Sequence, residues 1–459
     1  MALHNTPSQL GGRGMVEWPL PPELVLWVAH LATPLHARHA WRLLPLLRGL
    51  LFASGRRTVA AWLRAAGLGQ DYKRYYYFLD ALGRKAHFVA SLLLRRVADV
   101  VAPGERILLG LDDTPTPRYG PRVEGAGTHH NPSPGPAGQK FLYGHVWVTI
   151  AWLACHPLWG TIGLPLRALL YVRARDVGKL TPRYGVSFRT KLQMAAELVT
   201  WAAGWLRYLG KALWVVADGA YAKRPFLKAA RAAGVVVVSR LRKDAALWGV
   251  PLPPRPGAPK RRGRPPTYGK QAISLAKRAG HRRGWQAEEL VLYGQAETKT
   301  YKTFLATYRP AGGLIRVVLV QEEGGWVAFF CTDPQAPVAQ TLGAVAGRAA
   351  VEQDYHGIKE VHGAGQQQLR HYWANVAAFH LNLWAHTLVE LWAWRRSAGR
   401  LRDRKDSPWD DPERRPSHAD RCNALKREGL REVIRGAGRR RPLTRKIRTL
   451  FRGLLELIA

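Results

Sequence analysis

Arg106-Ile107-Leu108-Leu109-Gly110-Leu111-Asp112-Asp113-Thr114-Pro115 is the stretch on which the reading of this chain turns. Its apolar run is shorter than a typical helix, ends in two carboxylates and is stopped by Pro115 and Pro117, so it reads as a buried strand. Residues 118–140, rich in Gly, Pro, His and Arg, read as a loop. Tyr143–Cys155 and Trp159–Val172 follow as two strands joined by a turn at His156-Pro157. An amphipathic helix is expected over about residues 187–209. Ala212-Leu213-Trp214-Val215-Val216-Ala217-Asp218-Gly219 is another strand that ends in a carboxylate. Tyr221–Ala233 reads as helix and Val235–Val238 as a further buried strand. Strands and helices mixed in this order give an α/β core.

Helical texture precedes this core. From Pro21 to Val101 apolar residues recur at helical spacing, as in Leu24, Val25, Val28 and Leu31. Within that span Ser54–Leu63, the Gly-bearing Ala66–Gly69 and the basic aromatic Tyr72–Leu79 have a helix-turn-helix layout. Arg56, Arg57, Lys73 and Arg74 could then meet phosphates; an ordinary helical bundle with core aromatics fits the same spacing. After the core, residues 242–325 read as a basic, mostly β insertion. A helix is expected from Pro337 to His362 and a Trp-rich helix from Tyr372 to Trp394. The expected organisation is a helical, DNA-binding module (1–101), the first part of the core (102–241), the insertion (242–325), the last core strand and Glu-bearing helices (326–396) and a basic tail (397–459).

Composition narrows the partners. The chain has 459 residues, 47% of them hydrophobic, so it folds around a large core. Its net charge of +38 exceeds what solubility needs and points to a polyanion, most economically nucleic acid. The apolar run from His145 to Val172 is interrupted by His156, Pro157, Gly160, Gly163, Pro165 and Arg167, so no membrane span is expected. Three scattered cysteines (Cys155, Cys331, Cys422) give neither a disulfide framework nor a paired-cysteine zinc motif, and a reducing cytosol is expected. His129, His130, His356, His362 and His371 lack tight zinc-ligand spacing.

Three carboxylates stand out by context. Asp113 and Asp218 each end a buried strand, where α/β sheets commonly build sites. Glu352 lies on the helix after Pro337, with Arg348 four residues before it and Lys359 seven after it. At about 3.6 residues per turn these three share one helix face. A solvated, ion-paired face fits that column as well. Carboxylates gathered in a cavity repel one another unless a proton or cation intervenes, and hard divalent ions such as Mg²⁺ suit oxygen donors. In so basic a protein the set suggests two-metal phosphodiester chemistry.

Leu111-Asp112-Asp113-Thr114, Val216-Ala217-Asp218-Gly219-Ala220-Tyr221 and the spacing Arg348-x₃-Glu352-x₆-Lys359, together with the β insertion, resemble the DDE transposases of bacterial insertion sequences that carry a Tyr-Arg-Glu-Lys signature. The resemblance implies an RNase H-like mixed sheet, with Asp113, Asp218 and Glu352 as ligands for two Mg²⁺ ions, replaceable by Mn²⁺. Strand alternation keeps Asp112 and Asp113 from facing one site; the family's placement favours Asp113, with a one-residue error left open. Arg348 and Lys359 would hold phosphates beside the scissile bond. The signature Tyr falls on Val345, while Tyr355 lies beyond Glu352. An aromatic of the insertion could stack on a flipped base; Trp326 and Trp285 are the candidates, with core packing the alternative.

Lys260-Arg261-Arg262-Gly263-Arg264-Pro265-Pro266 is similar to an AT-hook, in which Arg262 and Arg264 would enter a narrow minor groove; a basic loop that binds phosphates fits too. The expected function is metal-dependent cleavage at transposon ends and strand transfer into target DNA. The expected partners are terminal inverted repeats and target duplex, with a dimer in the synaptic complex and a bacterial cytosolic or nucleoid location. A non-catalytic DNA-binding descendant and a nuclease without strand transfer are the rival readings.

Overall fold

The computed structural model describes residues 18–68, 70, 72–130, 140–252, 263, 265–292, 294–402, 409, 411, 413–440, 444 and 447. Its centre is one mixed sheet of twelve strands: β1 Arg106–Pro117, β2 Gly127–His130, β3 Phe141–His156, β4 Gly160–Tyr171, β5 Ala212–Ala217, β6 Val236–Leu241, β7 Leu247–Trp248, β8 Ala272–Ile273, β9 Gln286–Leu292, β10 Gln295–Tyr308, β11 Gly313–Glu322 and β12 Gly325–Cys331. The strands run β2-β3-β1-β5-β6-β12-β11-β10-β7-β8, with β4 also on β3 and β9 also on β10. β1, β5 and β6 are mutually parallel, and the other pairs are antiparallel. The segment β4-β3-β1-β5-β6 is the RNase H-like core. The strands between residues 286 and 331 continue its sheet, because β12 pairs with β6 from Ala328–Leu241 to Cys331–Val238.

Two crossover helices join the parallel strands. Lys191–Leu206 precedes β5 and opens on a capping box, in which Thr190 accepts from the Gln193 backbone and Gln193 reaches back to Thr190. Arg224–Ala232 precedes β6, with Pro225 in the first turn. The two sheet faces are distinguished by parity. Leu153, Trp214, Val216 and Val238 pack under Ala344, Ala350 and Val351, with Leu108 beside them. Ile107, Leu109, Leu111, Val215 and Val237 face the larger core on the other side.

Tyr372–Ala393 is the central helix, buried on nearly every position, and apolar residues all round its circumference explain this. It is tied to β4 at an irregularity in the β3–β4 register: Trp384 Nε1 donates to Leu166 O at 3.1 Å and Thr387 Oγ1 to Pro165 O at 2.6 Å. The N-terminal helices wrap the same helix. Val59–Ala65 is capped by Thr58 and followed by Gly67 at φ 75°. The helix after it runs unbroken over Tyr72–Val101, to the expected end of the helical region. Tyr75 and Phe78 are fully buried in it, so these aromatics are core.

The expected continuous helix Pro337–His362 is broken in two places. Val338–Gly347 ends at Arg348, Ala349–His356 follows, and Gly357–Val361 is a π turn. Val351 N reaches back only three residues to Arg348 O, at 2.9 Å, which tightens the first junction. Nor is the C-terminal region only a tail: His418–Arg440 is helical, and Cys422 and Leu425 are buried.

Gly110 sets how closely the Glu352 helix approaches β1. A Cβ there would lie 2.5 Å from Val351 Cγ2 and 3.1 Å from Leu153 Cδ1. Gly110→Val is expected to destabilise the fold by about 1–3 kcal/mol, the usual cost of overpacking, as measured by urea unfolding.

Candidate active site

Asp112 and Asp113, midway along β1, point to opposite faces of the sheet. Leu111 pairs with Ala217 in parallel register, so the next residues, Asp112 on β1 and Asp218 just past β5, share one face. That face carries the Glu352 helix. Arg348 NH1 donates to Asp112 Oδ2 at 2.9 Å, and Arg348 NH2 donates to Glu352 Oε1 at 3.0 Å. One guanidinium thus spans two carboxylates contributed by distant parts of the chain. Asp112 is mostly enclosed, with its side chain 20% exposed, whereas Glu352 is open at 64%. Asp218 is exposed, and its carboxylate accepts from Ala220 N at 3.3 Å, opening a single 3₁₀ turn.

Asp113 does not join them. Its Oδ2 pairs with Lys191 Nζ at 2.6 Å, and its Oδ1 accepts from the Tyr221 hydroxyl at 2.7 Å. Asp112, the neighbour that the sequence left open beside Asp113, is therefore the β1 carboxylate that shares Arg348 with Glu352, as strand alternation requires. Burial and the neighbouring Asp113 keep the Tyr221 phenol protonated far above its ordinary range, so it remains a donor. Tyr221 belongs to the Asp218-Gly219-Ala220-Tyr221 stretch and so has a local sequence signal, whereas nothing local marks Lys191.

Of the expected basic column, Arg348 and Glu352 meet, and Lys359 lies within the π turn. Lys359 is partly buried with its ammonium 5.9 Å from the Tyr355 ring, and burial lowers its pKa. Tyr355 shares a 2.5 Å hydrogen bond with Thr149, whose hydroxyl also donates to Asp112 O at 3.3 Å, so Tyr355 braces β1 from within. Val345 packs on the core beneath the helix. Arg56, Lys73 and Arg74 are exposed. Arg57 is half-buried instead, its backbone N–H held by Gln366 Oε1 at 2.8 Å and its pKa lowered by burial, which takes it away from a phosphate surface. Trp326 and Trp285 both pack against the core, each under a cation: Lys243 Nζ at 5.2 Å and Lys302 Nζ at 4.9 Å. Arg262 and Arg264 lie outside the described residues.

Electrostatics single out Asp112. Burial, aided by the charges of Asp113 and Asp218, pushes its pKa up to about 6, against the opposing pull of the Asp113 N–H and Arg348. Folding therefore favours the protonated carboxyl. The associated stability is fully present below the unfolded carboxylate pKa and is lost as pH rises through about 6. Between pH of about 7 and 4, the unfolding free energy of the wild type should gain on the order of 2–3 kcal/mol relative to Asp112→Asn. Denaturant titrations of both proteins across that range check this; parallel curves would refute the placement of Asp112.

A family model described as "DDE superfamily endonuclease" matches residues 30–302, more than half of the chain. The match includes β1 and β5 with Asp112, Asp113 and Asp218, and ends before Glu352. No curated protein matches the chain. No helix among the described residues is long and apolar enough to cross a membrane. Nuclease- or transposase-like function with DNA as substrate follows from the family match, and the strand order and the acidic strand ends agree with it: the chain belongs to the DDE endonuclease superfamily.

Proposed function

We propose that this chain is a DNA transposase of a bacterial insertion sequence, cleaving DNA at element ends and joining the freed 3′ end to target DNA. The observation that carries the reading is the shared face of Asp112, Asp218 and the Arg348-bridged Glu352. Three hard oxygen donors at the end of a parallel sheet suit Mg²⁺ or Mn²⁺. The present state of the site agrees with a need for positive charge, since burial and neighbouring carboxylates raise the proton affinity of Asp112, and two carboxylates lean on one arginine. Asp112, Asp218 and Glu352 would hold the ions. When bound, such ions supply an activated water or hydroxyl and neutralise charge on the leaving oxygen.

The chain's own residues prepare this chemistry. Gly110 lets the Glu352 helix descend onto β1. Thr149 and Tyr355 hold the β1 backbone at Asp112. Lys191 and Tyr221 hold Asp113 on the far face and keep the strand end in register. Arg348, a planar fork now shared by Asp112 and Glu352, would be free to hold phosphate oxygens if cations neutralised those carboxylates. The exposed Arg56, Lys73 and Arg74, and Lys359 within the π turn, would add phosphate affinity without sequence reading. Two ends must meet for joining, so a dimer in the synaptic complex is expected.

Mg²⁺-dependent cleavage of a duplex carrying the element's terminal repeat tests the proposal. Asp112→Ala, Asp218→Ala and Glu352→Ala should each lower cleavage about a thousandfold or more while DNA binding persists. Asp113→Asn should cost no more than about tenfold, the scale of one hydrogen bond. The reverse ranking of Asp112 and Asp113 would overturn the ligand set. Cleavage without joining to a second duplex would leave a nuclease.

A further inference from the structure

A second cluster of ligating side chains lies on the far side of the Glu352 helix. His362, just after the π turn, and His418 and Cys422, one turn apart on the C-terminal helix, bring their ligand atoms within 4.8 Å of one another. His362 Nε2 and His418 Nε2 are 2.8 Å apart, and Cys422 Sγ is 3.4 Å from His418 Nε2. We propose that His362, His418 and Cys422 form a binding site for a thiolate-preferring divalent ion, Zn²⁺ above all, distinct from the acidic site.

Four observations converge on it. The separations resemble those in a tetrahedral zinc site, where bonds of about 2.0 Å to nitrogen and 2.3 Å to sulfur put N and S about 3.5 Å apart and two nitrogens about 3.3 Å apart. An opening of about half an ångström between the two imidazoles would seat the ion. His418 has its outer partner in place: Glu390 Oε1, from the central helix, stands 2.6 Å from Nδ1. With Nδ1–H donated to Glu390, Nε2 carries the lone pair that faces His362 and Cys422, the carboxylate–histidine–metal arrangement of zinc proteins. Glu390 is in turn held by Arg421. Gly357 is required for this packing, since a Cβ there would lie 2.8 Å from His386 Cε1 and 3.2 Å from His418 Cδ2. Finally, a cavity of about 470 Å³ bordered by Gly357, Val361, His386, Glu390, His418 and Arg421 reaches the cluster at His418.

Binding balances simply. The Cys422 thiol gives up one proton, the two imidazoles bind neutral, and His362 shifts its proton to Nδ1. Burial pushes the free thiol up to about 12, and nearby Lys426 and Arg57 work against that by favouring the thiolate. Those two cations also oppose a dication, so affinity below that of a closed four-ligand site is expected. The consequence is structural: such an ion would staple the C-terminal helix to the segment that follows Glu352, fixing that helix from behind.

Full-length protein, stripped with a chelator and titrated with Co²⁺, tests the site. One equivalent should produce a near-ultraviolet thiolate-to-cobalt charge-transfer band with intense visible bands of a tetrahedral ion, displaced by Zn²⁺ and untouched by excess Mg²⁺. Cys422→Ala should abolish the charge-transfer band, Asp218→Ala should retain it, and Glu390→Gln should weaken binding about 10–100-fold. A protein keeping Cys422 alone, with Cys155→Ser and Cys331→Ser, should retain the band, and it serves should Cys422→Ala fail to fold. No charge-transfer band, or a band that survives Cys422→Ala or is lost with Cys422 as the only cysteine, would overturn the assignment. Because the readout is spectroscopic and spares the acidic site, its failure is distinct from failure of the proposed transposase activity.

Discussion

Everything at the acidic site depends on the parallel register between β1 and β5. Leu111 beside Ala217 fixes Asp112 beside Asp218, and because alternate side chains share a face, it also fixes which residues lie beneath the Glu352 helix. Leu108, Gly110, Trp214 and Val216 belong to the same parity and make the floor on which Ala350 and Val351 rest. A slip of one residue would exchange Asp112 for Asp113 and put large side chains where Gly110 now admits Val351. The register is held by the buried apolar sets on both faces, so packing of the core and placement of the carboxylates are one constraint.

That constraint creates an electrostatic debt that the surroundings settle only in part. Asp112 sits in a mostly enclosed place beside two other carboxylates, and its proton affinity is raised accordingly. Arg348 offsets this charge while reaching Glu352 as well. A site balanced by one shared arginine and one readily exchanged proton is suited to cation binding, since the incoming charge replaces both compensations. On the opposite face Asp113 is fully engaged by Lys191 and Tyr221, leaving no comparable demand.

The Glu352 helix is held from two sides. Toward the sheet it packs on β1 and sets Asp354 against Gly163 of β4; beside it, the same buried Asp354 pairs with His386 of the central helix at 3.3 Å. The π turn that follows brings His362 to His418, so the C-terminal helix closes over the same element. The interruptions at Arg348 and Gly357 let one stretch of chain satisfy both surfaces, which an unbroken helix with a single repeating face does not do.

Much of this was legible in the sequence. Short apolar runs followed by aspartate marked β1 and β5, because a buried strand is largely apolar, although β1 runs on past both aspartates to Pro117; Glu352 and its i,i+4 partner Arg348 were legible because helix geometry is local. The mixed α/β class followed from the alternation of such runs with amphipathic segments. The choice between Asp112 and Asp113 was not legible, since alternation says only that the two diverge, and which face receives the helix is decided by pairing with a strand about a hundred residues away. The π turn under Lys359 was not legible either, because it depends on what packs around Gly357. The His362–His418–Cys422 cluster was invisible for the same reason, its members meeting only when the C-terminal helix docks. Local patterning determined the elements and their chemistry, whereas long-range packing decided which side chains share a site, because facing and proximity are properties of register and docking that no local window contains.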